Sequence, residues 1–225
     1  GFLATAVVGP FVRDGKLVYS RGFGLADRDA KVPVVPDALF RIASVSKPIT
    51  AVAILKLVEQ GKLSLADKIL DHLKFEPHFE KDGKFDERWK QVTIEQCLTH
   101  RGGWDREKSY DPMFHAIRMA KSLGSELPIL SEHIFRYQLG QPLAFDPGER
   151  YAYSNFGYSL LGRIIERNTG TPYERYVQAE VLAPLGITRA AIGGSRKEER
   201  AAGEVCYYDI KGGAGTAITG PAAGS

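Results

Sequence analysis

The stretch FRIASVSKPIT, residues 40–50, places a serine, a lysine three residues later and then a proline at the point where a long apolar run begins. Proline breaks a helix interior, but in the first turn its missing N–H has no intrahelical partner to lose. The stretch therefore reads as a helix start. PITAVAILKLVEQG is the helix that follows, with Gly61 as its stop. Apolar residues lie almost all round it, which predicts a buried helix rather than a surface one.

Ser44 and Lys47 then share one face of the first turn. A serine hydroxyl is a weak nucleophile until a base takes its proton. At a helix start, free N–H groups and the helix dipole favour negative charge, which suits an alkoxide and an oxyanion. Burial against the apolar helix is expected to lower the Lys47 pKa, so that the amine can act as base. On its own S-x-x-K is a weak pattern, because a helix start with a snorkelling lysine satisfies it equally.

A second polar break, YAYSNFGYSLLGRIIE at 151–166, puts Tyr153 and Asn155 just ahead of another helix. A tyrosine can move protons between nucleophile and leaving group, and an asparagine can bond both a lysine and a substrate carbonyl. Read singly, Tyr153 is equally an aromatic packed at a loop, and Asn155 equally a helix cap.

Around these stretches the signals are helical from about residue 44 to 187. TIEQCLTHRGG has Thr93 and Gln96 at capping-box spacing. DPMFHAIRMAKSLG reads as one helix with an Asp111 cap, Pro112 in its first turn and Gly124 at its end. TPYERYVQAEVLAPLG reads as a helix capped by Thr171, with Glu174 completing the box. Before them, TAVVGPFV and KLVYSRGFG form a hairpin across Asp14-Gly15, with Pro10 marking an edge strand or a bulge. After them, GEVCYYDI supplies one candidate strand, and KGGAGTAITGPAAGS is a tail without periodicity, expected to be mobile. Two strands do not make a stable sheet, so the sheet looks incomplete.

The chain has 225 residues, 44% hydrophobic and 25% charged, which suits one globular unit with a subdomain. A net charge of +3 with interleaved signs gives no support for nucleic-acid binding. Cys97 and Cys206 make no disulfide framework and are read as unpaired thiols. No run reaches the length of a membrane span, and no signal peptide is visible. The five histidines have no metal-ligand spacing, and there is no G-x-S-x-G or HExxH. Asp27 and Asp29 read as a solvated turn, RKEER at 196–200 as an exposed face, and Trp104 as core.

Residues 39–69, VTIEQCLTHRGGW, YAYSNFGYSLLGRIIE and TGTPYERYVQAEVLAPLGIT, in this order, resemble the β-lactamase-related serine hydrolases. These are the class C β-lactamases, the low-molecular-weight penicillin-binding proteins and D,D-peptidases, and the esterases with a β-lactamase fold. The resemblance implies an α+β, β-lactamase/transpeptidase-like fold: an antiparallel sheet flanked by helices, a mainly helical subdomain, and the active site between them. In those terms residues 1–43 supply the hairpin, 44–62 the nucleophile-bearing helix, 63–187 the helical subdomain, and 188–225 the return toward the sheet. It further implies Ser44 as the acylated nucleophile, Lys47 as the base sharing its proton, Tyr153 as general base or relay, and Asn155 as the substrate-orienting residue. The Ser44 N–H would be one oxyanion donor. The implied partner is a small-molecule or peptide acyl substrate, with no metal or organic cofactor, in a periplasmic or secreted setting. The departures are a missing first helix and a missing third motif, Lys-Thr-Gly or His-x-Gly. Lys211-Gly212-Gly213 matches that motif only superficially, and His100-Arg101-Gly102 lies in a segment the family uses structurally. The C-terminal sheet strands are thus expected to be absent from this chain, as in a part of a longer protein or a truncated, impaired one. The non-enzymatic alternative is a penicillin-recognising fold kept as a scaffold or binding protein.

Overall fold

The computed structural model describes residues 6–194, 197–209 and 216–217. It is α+β and divides into two compact units, one built from the residues before Ser44 and after Ala191, the other from Ser44–Ala191.

In the first unit, β1 (Ala6–Arg13) and β2 (Lys16–Asp27) form the hairpin, and β3 (Val32–Pro33) extends the antiparallel sheet in the order β1-β2-β3. Asp14 and Gly15 both have positive φ, 50° and 72°. That is the primed turn whose twist matches the strands. The register slips between Phe11 and Val12, next to Pro10, on a strand that is the edge of this sheet. Later residues return to the sheet: the Val205 N–H donates to the Leu39 carbonyl at 3.1 Å and the Cys206 N–H to the Ala26 carbonyl at 2.7 Å. Of the described part of GEVCYYDI, Tyr208–Asp209 is a strand, β4, which pairs with β5 (Thr216–Ala217). The rest of the glycine-rich tail, with Lys211-Gly212-Gly213, lies outside the described residues. Asp27 is more than a solvated turn residue. It accepts from the Ala30 N–H, the Cys206 thiol and the Tyr208 hydroxyl, which hold its pKa at about 2. Both cysteines are unpaired.

The second unit is helical: α1 (Ser46–Glu59), α2 (Ile69–His72), α3 (Ile94–Leu98), α4 (Ala116–Leu123), α5 (Ser131–Leu139), α6 (Asn155–Thr169) and α7 (Tyr173–Val177). Its core gathers Ile54 and Leu57 of α1, Ile94 and Cys97 of α3, Phe135 of α5, Phe156, Leu161, Ile164 and Ile165 of α6, Trp89 from a 3₁₀ turn at Glu87–Gln91, and Trp104 from a loop. Phe156 meets Trp89, Trp104 and Phe135 edge to face, with centroids 6.2, 5.1 and 5.7 Å away. Such contacts add to simple area burial. Among the described residues no helix is long and apolar enough to cross a membrane.

Several local expectations change. The helix α1 is not buried all round: Thr50, Ala53, Ile54 and Leu57 are inside, while Val52 and Leu55 are exposed. Its apolar composition carries no facial asymmetry, so the sequence could not say which side packs. Thr93 and Gln96 do form the capping box. The 111–124 segment is broken into a 3₁₀ turn, Pro112–Phe114, and then α4, which ends at Gly124 with a left-handed φ. Asp111 caps the turn rather than α4. Ser154, not Asn155, caps α6, accepting from the Gly157 N–H at 3.0 Å. The cap position of α7 falls on Pro172 rather than Thr171, and the Tyr173 N–H is taken by Glu166 at 2.9 Å. The helix α7 continues through a π turn, Gln178–Leu182, where Pro184 two residues on prevents regular extension.

Phe156→Ala should cost about 3–5 kcal/mol of unfolding free energy, since its neighbours are too rigid to close the cavity. Denaturant titration checks this. A loss under about 1 kcal/mol would contradict the central place given to Phe156.

Candidate active site

Two helix starts build the site. Ser44 sits in a 3₁₀ turn, Ala43–Val45, immediately ahead of α1, so the helix begins two residues later than the sequence suggests. Ala43 has φ 44°, a left-handed backbone that a residue with a Cβ adopts only under constraint. Lys47 lies one turn on, half-buried. Tyr153 precedes Ser154, the extended cap residue of α6, and Asn155 is the first residue of α6.

These four residues meet. Ser44 Oγ and Tyr153 Oη share a hydrogen bond of 2.6 Å. Lys47 Nζ donates to Ser44 Oγ at 3.3 Å and to Asn155 Oδ1 at 2.6 Å. It also stands 4.8 Å from the centroid of the Tyr153 ring. The Arg106 guanidinium lies over the same ring at 4.8 Å. Burial would raise the Tyr153 pKa. The hydrogen bonds from Lys47 and Ser44, with the charges of Lys47 and Arg106, outweigh burial and hold the phenol below its ordinary value. Tyr153 Oη thus stands closer to Ser44 Oγ than Lys47 Nζ does, 2.6 Å against 3.3 Å.

His100 supports the tyrosine. Its ring packs on Tyr153 at 4.6 Å between centroids, its carbonyl accepts from the Ala152 N–H at 2.8 Å, and its Nδ1 accepts from the Ser154 N–H at 3.1 Å. The proton of the neutral ring is then on Nε2. Burial first, and then the Lys47 charge, lower the His100 pKa. Reaching this place needs φ 58° at His100 and two glycines after it. A Cβ on Gly102 would lie 2.2 Å from the Trp104 ring.

Neither His100 nor Arg106 stood out in the sequence. His100 lies in an H-x-G match, but nothing in its spacing says that it faces a tyrosine 53 positions later. Asp111, taken there as a cap, also reaches the site: its Oδ2 accepts from Asn155 Nδ2 at 2.7 Å. Beside Tyr153 opens a cleft of about 320 Å³, lined by Asp105, Arg106, Glu107, Arg150, Tyr151 and Ala152. Arg150 is held by Asp105 at 2.7 Å, whereas Arg106, over the Tyr153 ring, pairs with the exposed Glu107 at 3.2 Å. Trp104 is core, as its sequence setting suggests.

Comparison with known proteins shows what the chain resembles. The chain is 37% identical over 215 residues to Esterase EstB of Burkholderia gladioli, covering 92% of this chain and 50% of that protein. The penicillin-binding protein homologue of Pyrococcus abyssi, an octamer, superposes with a TM-score of 0.70 at 29% identity, over 96% of this chain and 46% of that one. The D-amino acid amidase of Ochrobactrum anthropi superposes at 0.65 with 25% identity, over 97% of this chain and 56% of that one. The chain spans a third to a half of the length of the curated relatives it matches. The family model described as Beta-lactamase matches residues 7–223, so the chain belongs to the beta-lactamase family, among the β-lactamase-related serine hydrolases.

Proposed function

We propose that the protein hydrolyses carboxylic esters by passing the acyl group through an ester on Ser44. The observation that carries this reading is the 2.6 Å contact between Ser44 Oγ and Tyr153 Oη, with Lys47 bonded to both Ser44 and Asn155. The 37% identity to an esterase supports the choice of ester over amide or β-lactam.

The geometry supports the following steps. Tyr153, as phenolate beside the Lys47 charge, takes the Ser44 proton while Oγ bonds to the substrate carbonyl carbon. The negative oxygen of the tetrahedral adduct is stabilised by the Ser44 N–H and the positive end of α1. The carbon–oxygen bond to the leaving alcohol then breaks, and Tyr153 returns the proton to that alcohol. Water repeats the sequence on the Ser44 ester: its proton goes to Tyr153, its oxygen to the acyl carbon, and the acid leaves as Ser44 regains the proton. Asn155 holds Lys47 in place through both halves.

The test is the intact mass of the complete protein before and after an activated phosphonate, beside turnover of esters, D-amino-acid amides and a β-lactam. A single adduct absent from Ser44→Ala, with esters turned over fastest, is expected. No adduct on the folded wild type would sink the reading and leave the scaffold alternative. Tyr153→Phe keeps the ring but removes the hydroxyl, and should lower kcat by about 10²–10⁴-fold with little change in KM.

The His100 setting makes a pH prediction. Its folded pKa is depressed, so the native state resists a proton that the unfolded chain accepts. Stability should therefore fall as pH drops below about 6.5, down to the folded pKa, and be flat above. His100→Asn retains an acceptor for the Ser154 N–H and tolerates a left-handed φ. It should cost about 1 kcal/mol in ring contacts and reduce the slope of melting temperature between pH 5 and 6.5. An unchanged slope would show that the titrating group lies elsewhere.

A further inference from the structure

We propose that Asp111 is a positioning residue for the Ser44 centre: its carboxylate sets which way the Asn155 amide faces and so keeps the amide oxygen on Lys47. The proposal rests on the catalytic reading of Ser44, Lys47 and Tyr153 given above.

A primary amide has an accepting end and a donating end of nearly the same shape, so its neighbours decide its orientation. Here the two neighbours demand opposite things. Lys47 offers only donors and takes Asn155 Oδ1 at 2.6 Å. The Asp111 carboxylate offers only acceptors and takes Asn155 Nδ2 at 2.7 Å. Turning the amide over would set an NH₂ against an ammonium and an oxygen against a carboxylate, two repulsions in place of two charge-assisted bonds. Asn155 is half-buried, so water cannot freely replace either partner.

Asp111 is itself held. Its Oδ1 accepts from the Met113 N–H at 3.1 Å, its carbonyl accepts from the Phe114 N–H at 3.1 Å, and the next residue, Pro112, is buried. The capping role accounts for one carboxylate oxygen only. The other points at Asn155, which is 44 positions away and on a different element. A cap could be Ser, Thr, Asn or Asp with similar success. A residue that must cap a turn and still present a second acceptor has to be a carboxylate.

This makes Asp111→Asn the decisive substitution. The variant is nearly isosteric and can keep the cap with its single oxygen. It then presents an NH₂ to the Asn155 NH₂, so Asn155 turns or lets go, and its oxygen is no longer fixed on Lys47. In the complete protein, Asp111→Asn should lower phosphonate labelling of Ser44 and ester kcat by about 10–100-fold, with KM within about threefold and the melting temperature nearly unchanged. Asp111→Asn combined with Asn155→Ala should be no worse than Asn155→Ala alone, because the aspartate acts through the asparagine. In ¹⁵N-labelled protein the Asn155 side-chain NH₂ signals, identified by their loss in Asn155→Ala, should move in Asp111→Asn. If Asp111→Asn fails to fold, Asp111→Ser, which keeps a cap and drops the second acceptor, is judged by the same readings. Wild-type labelling rates in the variant with unmoved Asn155 signals would overturn the proposal, as would losses that multiply in the double variant. If wild-type Ser44 does not label at all, the catalytic reading fails, and the Asn155 signals alone decide the role of Asp111.

Discussion

A serine and a tyrosine 109 positions apart can share a 2.6 Å hydrogen bond only if the helices that follow them are locked together. That lock is apolar. Ile54 and Leu57 of α1 and Leu161, Ile164 and Ile165 of α6 belong to one cluster in which each is fully buried. A shift of one side chain's width there would open the hydroxyl contact, since hydrogen bonds weaken steeply beyond about 3.2 Å. The polar centre supplies little of the energy that keeps it assembled. Lys47 and Asn155 are half-buried and Ser44 is exposed, so their mutual bonds are made largely in exchange for bonds to water. Packing holds the frame, and the polar groups settle into the geometry the frame permits.

The same frame explains what the sequence could show. Ser44 and Lys47 are legible because both lie within one turn, where spacing and proline placement speak directly. Tyr153 and Asn155 gain meaning from the stretch FRIASVSKPIT and from their place before a second helix. The Thr93–Gln96 capping box is a four-residue pattern and forms as read. Long-range partners are another matter. His100, Arg106 and Asp111 become neighbours of the site through the turns that follow α3 and precede α4, and no periodicity encodes which residue such a turn will deliver. Asp111 illustrates the limit well: its local role, a cap, is visible in the sequence, while its second hydrogen bond depends on where α6 begins in space. The helix starts at Ser46 and Asn155 also differ slightly from expectation, because competing caps one or two residues apart look alike in one dimension.

The electrostatics of the centre are arranged in layers. Lys47 and Arg106 lie near the Tyr153 ring, His100 packs against it as a neutral ring, and Asp111 stands behind Asn155. Positive charge is thus nearest the phenol, where the proposed mechanism has a proton taken up and given back. The negative carboxylate is one amide further away, where it can orient a partner without competing for that proton.

The two thiols differ in a useful way. Cys97 is fully buried in the helical core, and burial drives its pKa up, so it is inert toward alkylating reagents while that core stays shut. Cys206 is partly accessible in the sheet-bearing unit. The rate at which Cys97 becomes modifiable measures how often the packing that aligns Ser44 with Tyr153 comes apart, free of any signal from the sheet.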